Sequence, residues 1–216
     1  MVRTFAAHYL YALVDGLPDD WVPPAYGGIV LRRVGDLRLV EAPLADGSLR
    51  TPRVLGRHGE IVAGLMDADA LLPFPAGTIV PAGELRPWLH VRLSILHDVL
   101  ARLRGHVEVA VRLVPLAPAA PDTLGVLADR LVEGAAMSAW RYRAGLAHRG
   151  AELAFLVPRG EEPELLTRLA PIVARASGVA VVPTAARPPY AFVPPLEGPR
   201  RPPAFDIRPV VATLAG

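Results

Sequence analysis

The stretch Glu84–Leu116, ELRPWLHVRLSILHDVLARLRGHVEVAVRLVPL, changes its hydrophobic period once, and that change divides the chain. Up to Arg104, residues Leu89, Leu93, Leu96, Leu100 and Leu103 step by four, three, four and three, which stacks them in one helical stripe. Pro87 falls within the first turn, where a missing amide is tolerated. Gly105 stands where a left-handed C-terminal cap is expected. Beyond it the period drops to two, so that Val107, Val109, Val111 and Leu113 share one face of a strand over His106–Leu116.

Upstream, His8–Val14 (HYLYALV) is rich in aromatic and branched residues and reads as a strand, followed by a Pro/Gly-rich loop over Pro18–Gly28. Ile29–Val34 and Leu37–Leu44 flank Gly35-Asp36, a turn-prone pair, and read as a hairpin. A helix is expected over Pro52–Asp69, with Val54, His58, Ile61, Val62 and Leu65 on one face. Two short extended pieces then surround Pro75-Ala76-Gly77. Downstream, Asp122 is placed to cap a helix running to about His148, with Leu124, Leu127 and Leu131 inward. Its small-residue centre, Gly134-Ala135-Ala136, predicts close packing on a neighbour. Ala151–Val157 reads as a buried strand, Glu162–Ser177 as a helix and Val179–Val182 as a strand. Pro194–Pro209, rich in Pro and Arg, is expected to be an irregular tail on the surface.

Strands alternating with helices, with hairpins inside each half, predict an α+β chain of two small sandwiches of ferredoxin-like type, each a mixed or antiparallel sheet with helices on one side. The expected domains are 1–104 and 105–193, followed by a tail over 194–216.

Composition narrows the function classes. At 52% hydrophobic and 20% charged, the chain is too apolar to be disordered and can spare apolar surface for a contact. No run of about 18 uninterrupted apolar residues exists, so no membrane span is expected. The N-terminal apolar stretch is interrupted by His8 and followed by no small-residue cleavage site, so a strand in a cytoplasmic protein is the better reading than a signal peptide. Cysteine is absent, which excludes disulfides, a thiolate nucleophile and sulfur-ligated zinc. Lys, Asn and Gln are absent as well, a skew that genome base composition explains better than selection for phosphate binding. Net charge is only +2, and the high pI reflects Arg's pKa; it marks no nucleic-acid footprint, which needs the charge gathered on one face.

The histidines His8, His58, His90, His97, His106 and His148 include no i, i+4 pair with an intervening acid, the arrangement a helical zinc site requires. His90 and His97 lie two helical turns apart, about 10 Å, too far to share one metal. Solvated or capping roles are expected for all six. Arg57-His58-Gly59-Glu60 resembles the nucleophile motif of histidine phosphatases, in which His takes the phosphoryl group and Arg holds it. Here the triplet opens a helical pattern instead of ending a first strand, and no second motif supplies the acid–base His; His148-Arg149 is a poor substitute. No phosphate-binding glycine loop and no Gly-x-Ser-x-Gly elbow is present. Glu161 and Glu162 read as first-turn acids of a helix, and Arg200 and Arg201 as solvated tail residues. No cofactor or metal is expected.

Five segments, in order, resemble the gas vesicle L/F family. Tyr9-Leu10-Tyr11-Ala12-Leu13-Val14 is similar to its opening Tyr-x-Tyr strand. Leu72-Pro73-Phe74-Pro75-Ala76-Gly77-Thr78-Ile79-Val80 resembles its Leu-Pro…Gly-Thr segment, standing after a helix that carries a His, here His58. Gly105-His106-Val107-Glu108-Val109 resembles its Gly-x-x-Glu-Trp strand, and Leu153–Pro158, with Phe155 and Pro158, its apolar strand ending in Val-Pro. Arg187-Pro188-Pro189-Tyr190-Ala191-Phe192-Val193 resembles its closing Pro-Pro-Tyr-x-Phe signature. Departures are Pro75-Ala76 in place of Arg-Phe, Val109 in place of Trp, Ala186-Arg187 in place of Pro-Trp, and a short stretch between Pro115 and Ala151. The resemblance implies an accessory protein of gas vesicle assembly, not an enzyme, whose partners are the small hydrophobic shell protein and other accessory proteins, with no role for nucleic acid or membrane. It implies structural or partner-binding roles for Tyr9, Tyr11, Pro73, Phe74, Gly77, Thr78, Glu108, Phe155, Pro158, Pro188, Pro189, Tyr190 and Phe192. Stiff Pro188-Pro189 is expected to give an extended approach that packs Tyr190 and Phe192 on the core. The alternatives are a scaffold module of the same fold serving another assembly and, more remotely, a phosphatase built on Arg57-His58-Gly59.

Overall fold

Two antiparallel sheets, each centred on the first strand of its unit, organise the computed structural model, which describes residues 6–18, 21–22, 28–44, 52–116, 121–145 and 150–196. The side chains of 52–56 and 121–122 lie outside this description, as do His148, the expected Asp122 cap and all but the first three residues of the expected tail.

The first unit contains β1 (Ala7–Asp15), β2 (Val30–Val34), β3 (Leu37–Leu44), α1 (Pro52–Ala63), β4 (Ala70–Pro73), β5 (Ile79–Pro81) and α2 (Leu85–Leu103). Its sheet runs β2-β3-β1-β4, with β5 pairing the other end of β1. The hairpin expected at Gly35-Asp36 is present, with Val34 opposite Leu37 and Gly35 at φ +65°. The register of β1 on β3 jumps between Leu10 and Ala12, so Tyr11 is the extra residue of a bulge. In consequence Tyr9, Tyr11, Ala12 and Val14 face α1 through Ile61 and Val62, and Leu65 of the turn that follows it. Leu10 and Leu13 face the other way, packing with Leu85, Leu96, Leu100 and Leu103 of α2. One helix therefore covers each face of this sheet, which is why β1 is buried from Ala7 to Val14. Burial of each large apolar side chain stabilises by about 1.5–3 kcal/mol.

Gly105 adopts the expected left-handed conformation, φ +68°, and hands α2 on to the second unit. That unit is β6 (His106–Pro115), α3 (Pro121–Ala135), β7 (Trp140–Ala144), β8 (Ala151–Pro158), α4 (Glu162–Val173) and β9 (Val179–Pro183), with sheet order β7-β8-β6-β9. This is the split β-α-β arrangement of ferredoxin-like folds. Val107, Val109, Val111 and Leu113 turn together toward Leu124, Leu127, Leu131, Leu165 and Leu169 of α3 and α4. Gly134 permits the close approach expected of the small-residue segment, since a Cβ there would lie 2.2 Å from Ile172 Cδ1.

Three helices end earlier than expected. Helix α1 stops at Ala63, short of Asp69, and passes into i→i+3 turns, Leu65 N–H to Val62 and Met66 N–H to Ala63. Helix α3 stops at Ala135, because Ala136 takes a left-handed φ of +49° and Trp140–Ala144 leaves to pair with β8. Partner strand pairing overrides the helical reading of that segment. Helix α4 gives way after Val173 to i→i+3 bonds, Arg175 N–H to Ile172 and Ala176 N–H to Val173, following Pro171.

Candidate functional site

Most of the residues singled out by sequence come together where the units meet, and the residue at the centre of their meeting is His58. The apolar face of α1 carries it inward, next to Ile61 and Val62, and leaves it 3% exposed. Its Nδ1 lies 3.0 Å from the Tyr9 hydroxyl and its Nε2 lies 3.0 Å from the Phe74 carbonyl. A carbonyl only accepts, so Nε2 carries the proton and Nδ1 accepts from Tyr9. The Gly77 N–H in turn donates to the Tyr9 oxygen at 3.0 Å. The relay Gly77 N–H, Tyr9 O–H, His58, Phe74 C=O is closed, with every polar atom of the ring used.

Aromatic rings enclose it. Tyr11 stacks on His58 at 5.5 Å between centroids, Tyr9 meets it edge-on at 5.7 Å, and Tyr190, arriving from the end of the second unit, lies at 6.2 Å. Burial holds the His58 imidazole below its ordinary pKa, opposed by its bond to Phe74, so the ring is neutral at pH 7. Burial also raises the Tyr9 phenol, against the Gly77 bond. It pushes Tyr11 up to about 12, with Tyr9 adding and Arg57 opposing. Tyr190 likewise rises to about 12 through burial, with Tyr9 and Glu108 adding.

A second centre holds Tyr190 in place. Glu108 of β6 is wholly buried. Its backbone exchanges hydrogen bonds with Arg187, N–H to C=O in both directions at 2.9 Å. Its carboxylate accepts from Arg187 Nε at 2.8 Å and from the Ala191 N–H at 2.8 Å. Arg187 Nη2 also reaches Glu152 at 3.0 Å. Between these anchors Pro189 sits at φ −80°, ψ 57°, with the Tyr190 N–H donating to the Pro188 carbonyl, an inverse γ-turn. The approach is thus turned at Pro189, and Pro188, Pro189 and Phe192 are buried. Phe192 joins the α2 core cluster together with Ala154. Residues Arg187–Leu196 form a strap across the unhelical face of the second sheet that ends on the first unit.

Of the family-like residues, Tyr9, Tyr11, Phe74, Gly77 and Tyr190 meet around His58, and Glu108, Pro188, Pro189 and Phe192 build the strap anchor. Pro73 pairs with Ala12 just before Phe74, and Thr78 closes the adjoining turn by donating to the Pro75 carbonyl at 2.6 Å. Phe155 lies apart, in the core beneath α3 and α4, and Pro158 ends β8 opposite His106. Sequence reading gave His58 and His8 solvated or capping roles; both are buried, His8 with its Nδ1 3.0 Å from the buried Glu41, which also holds Arg32 at 2.7 Å. The signal for His58 was its place on the apolar stripe of α1. Arg187, quoted as part of the closing signature and as a departure from its Pro-Trp, is the strap's principal anchor. For the phosphatase pattern the geometry is unsuitable, because the His58 nitrogens are occupied and face the interior. A groove of about 960 Å³ between α3 and α4, walled by Val126, Leu127, Ile172, Arg130, Glu133 and Arg175, lies away from this cluster.

A family model described as gas vesicle synthesis protein GvpL/GvpF matches residues 7–133. No curated protein sequence matches the chain. Among solved structures, the gas vesicle protein GvpF from Anabaena sp. PCC7120 superposes with a TM-score of 0.70 at 14% identity, covering 91% of this chain and 99% of that one. The gas vesicle protein GvpF from Microcystis aeruginosa gives 0.67 at 15% identity, covering 87% and 98%. The sequence match spans more than half of the chain and the two-unit fold agrees along most of it, so this protein belongs to the GvpL/GvpF family of gas vesicle synthesis proteins.

Proposed function

We propose that this chain is a non-enzymatic accessory protein of gas vesicle assembly that binds the small hydrophobic shell protein, other accessory proteins, or both, in the cytoplasm and at the growing vesicle. Membership of the family supplies the setting. The observation that supports the non-catalytic part is the closed relay at His58: both ring nitrogens are spent on Tyr9 and Phe74 inside the first unit, and the ring packs against Tyr190 from the second. What remains for work is the outer surface. It exposes Val91 and Ile95 on α2, Trp140 and Tyr142 on β7, and Val114 and Val182 on the second sheet. Exposed apolar side chains of this kind suit a protein that receives or shields an apolar subunit. Among the described residues no helix is long and apolar enough to cross a membrane.

Native co-purification from cells that express the shell and accessory genes tests this reading. The expected result is retention of the shell protein or an accessory protein on the tagged chain. Retention of neither, with all of them expressed, contradicts it.

A further inference from the structure

The edge of the second sheet carries a pattern that the strap and the core do not use. Among the described residues strand β7 pairs only with β8, and all five of its residues are exposed. Hydrogen bonds from Leu156 N–H to the Ala139 carbonyl and from Gly145 N–H to the Gly150 carbonyl fix which residues of the antiparallel pair are bonded. Bonded pairs alternate, so Arg141 and Arg143 turn their backbone groups toward Ala154 and Glu152, their partners in register. Trp140, Tyr142 and Ala144 turn theirs outward, to an edge that no described strand covers. Among the described residues the Trp140 carbonyl is met there only by the Arg141 side chain, at 2.9 Å.

Side chains alternate as well. Trp140 and Tyr142, 40% and 43% exposed, stand on the helix-bearing face opposite Phe155 and Leu153. Arg141 and Arg143 stand on the other. There four guanidinium groups gather, Arg112, Arg141, Arg143 and Arg187, against two carboxylates, Glu108 and Glu152. Glu152 is shared by three of them, and Arg141 lies over the Phe192 ring, 5.4 Å from its centroid, with no carboxylate among the described residues against it.

We infer that the β7 edge is a docking site for an extended segment of another protein in which acidic and apolar side chains alternate. The incoming strand bonds to the outward amides and carbonyls of Trp140, Tyr142 and Ala144. Its apolar residues extend the Trp140–Tyr142 face and its acidic residues meet Arg141 and Arg143. A second copy of this chain fits badly: β7 against β7 lays arginine beside arginine, and like charges across a ladder repel. Free edges commonly carry charge against self-pairing; here the same charge selects a partner. The inference rests on the reading that this protein works by binding proteins, and it names the chemistry of one such partner.

Short synthetic peptides alternating valine with glutamate or valine with lysine test it, with backbone amide exchange and binding titration as readouts. The glutamate peptide is expected to bind at least about tenfold more tightly than the lysine peptide, and to slow exchange at Trp140, Tyr142 and Ala144, while Arg141 and Arg143 amides are protected already in the free protein. Tyr142→Pro removes an outward amide along with the ring but no amide bonded to β8, so the fold persists and binding is lost; Tyr142→Thr removes the same ring, keeps the amide and retains measurable binding. Equal affinity for both peptides, no binding of either, unchanged binding by a folded Tyr142→Pro protein, or self-association that Tyr142→Pro abolishes would each overturn the proposal. A protein that retains vesicle proteins yet binds neither peptide sinks the edge proposal alone. One that binds the glutamate peptide yet retains no vesicle protein sinks the assembly reading alone.

Discussion

His58 shows how one side chain can be decisive without being reactive. Replacing it by Phe preserves a ring of similar bulk but strands the Tyr9 hydroxyl and the Phe74 carbonyl in the interior. Each buried unsatisfied group costs about 1–3 kcal/mol. We expect His58→Phe to lower the unfolding free energy by about 2–5 kcal/mol, read from the urea midpoint. The pH dependence follows from the same burial. With its folded pKa below the unfolded value of about 6.5, His58 binds fewer protons in the native state. Its contribution is therefore complete above about pH 6.5 and is lost as pH falls through that value toward the lower folded pKa. Tyr11 and Tyr190 act at the other end: their phenols rise to about 12, so stability is complete below about pH 10 and is lost as pH climbs toward 12. Stability measured from pH 4 to 11 should show both flanks in the wild type. The acid flank should shrink in His58→Phe.

Among elements, the strap matters most for its size. Arg187→Ala leaves Glu108 buried with one backbone N–H for a partner, and breaking a buried pair costs about 3–5 kcal/mol. Arg143→Ala removes an ion pair to the same face, but an exposed one, and should cost less than about 1 kcal/mol. Thermal unfolding of the two variants side by side checks the contrast. Arg187→Lys should restore little, because a single ammonium cannot span Glu108 and Glu152 as the guanidinium fork does. These elements were unequally legible. The leucine stripe of α2, the Gly105 cap and the alternation of β6 stand in the sequence because each obeys one local rule. The end of α3 does not: Leu124, Leu127 and Leu131 speak for a helix, and only pairing with β8 makes WRYRA a strand. Its Trp-Arg-Tyr-Arg alternation was the available signal, masked by exposure of both faces. The Tyr11 bulge is illegible for the same reason, since it is defined by the register of β3.

For the whole molecule, the consequence is that two sheets joined at Gly105 are also joined through the strap, from which Tyr190 closes the cluster of the first unit. Pro-Pro-Tyr-x-Phe could be recognised in sequence, but not that its tyrosine would meet a histidine more than a hundred residues earlier; that contact is a property of the two units together. A chain ended after Ala186 loses Tyr190, Phe192 and the Glu108 partner at once. Its His58 should titrate closer to an ordinary histidine by NMR, and its single unfolding transition should separate into two. Binding, by contrast, is assigned to the outer surface, so disturbing the buried cluster should leave it intact wherever the fold survives. The most direct measurement is the affinity of His58→Phe for the vesicle protein that the wild type retains, taken at a temperature where the variant is folded by circular dichroism. Affinity within about twofold of the wild type is the predicted result, a difference of under ~0.5 kcal/mol. Loss of binding by a fully folded His58→Phe protein would contradict the account, because it would place the working surface at the cluster itself.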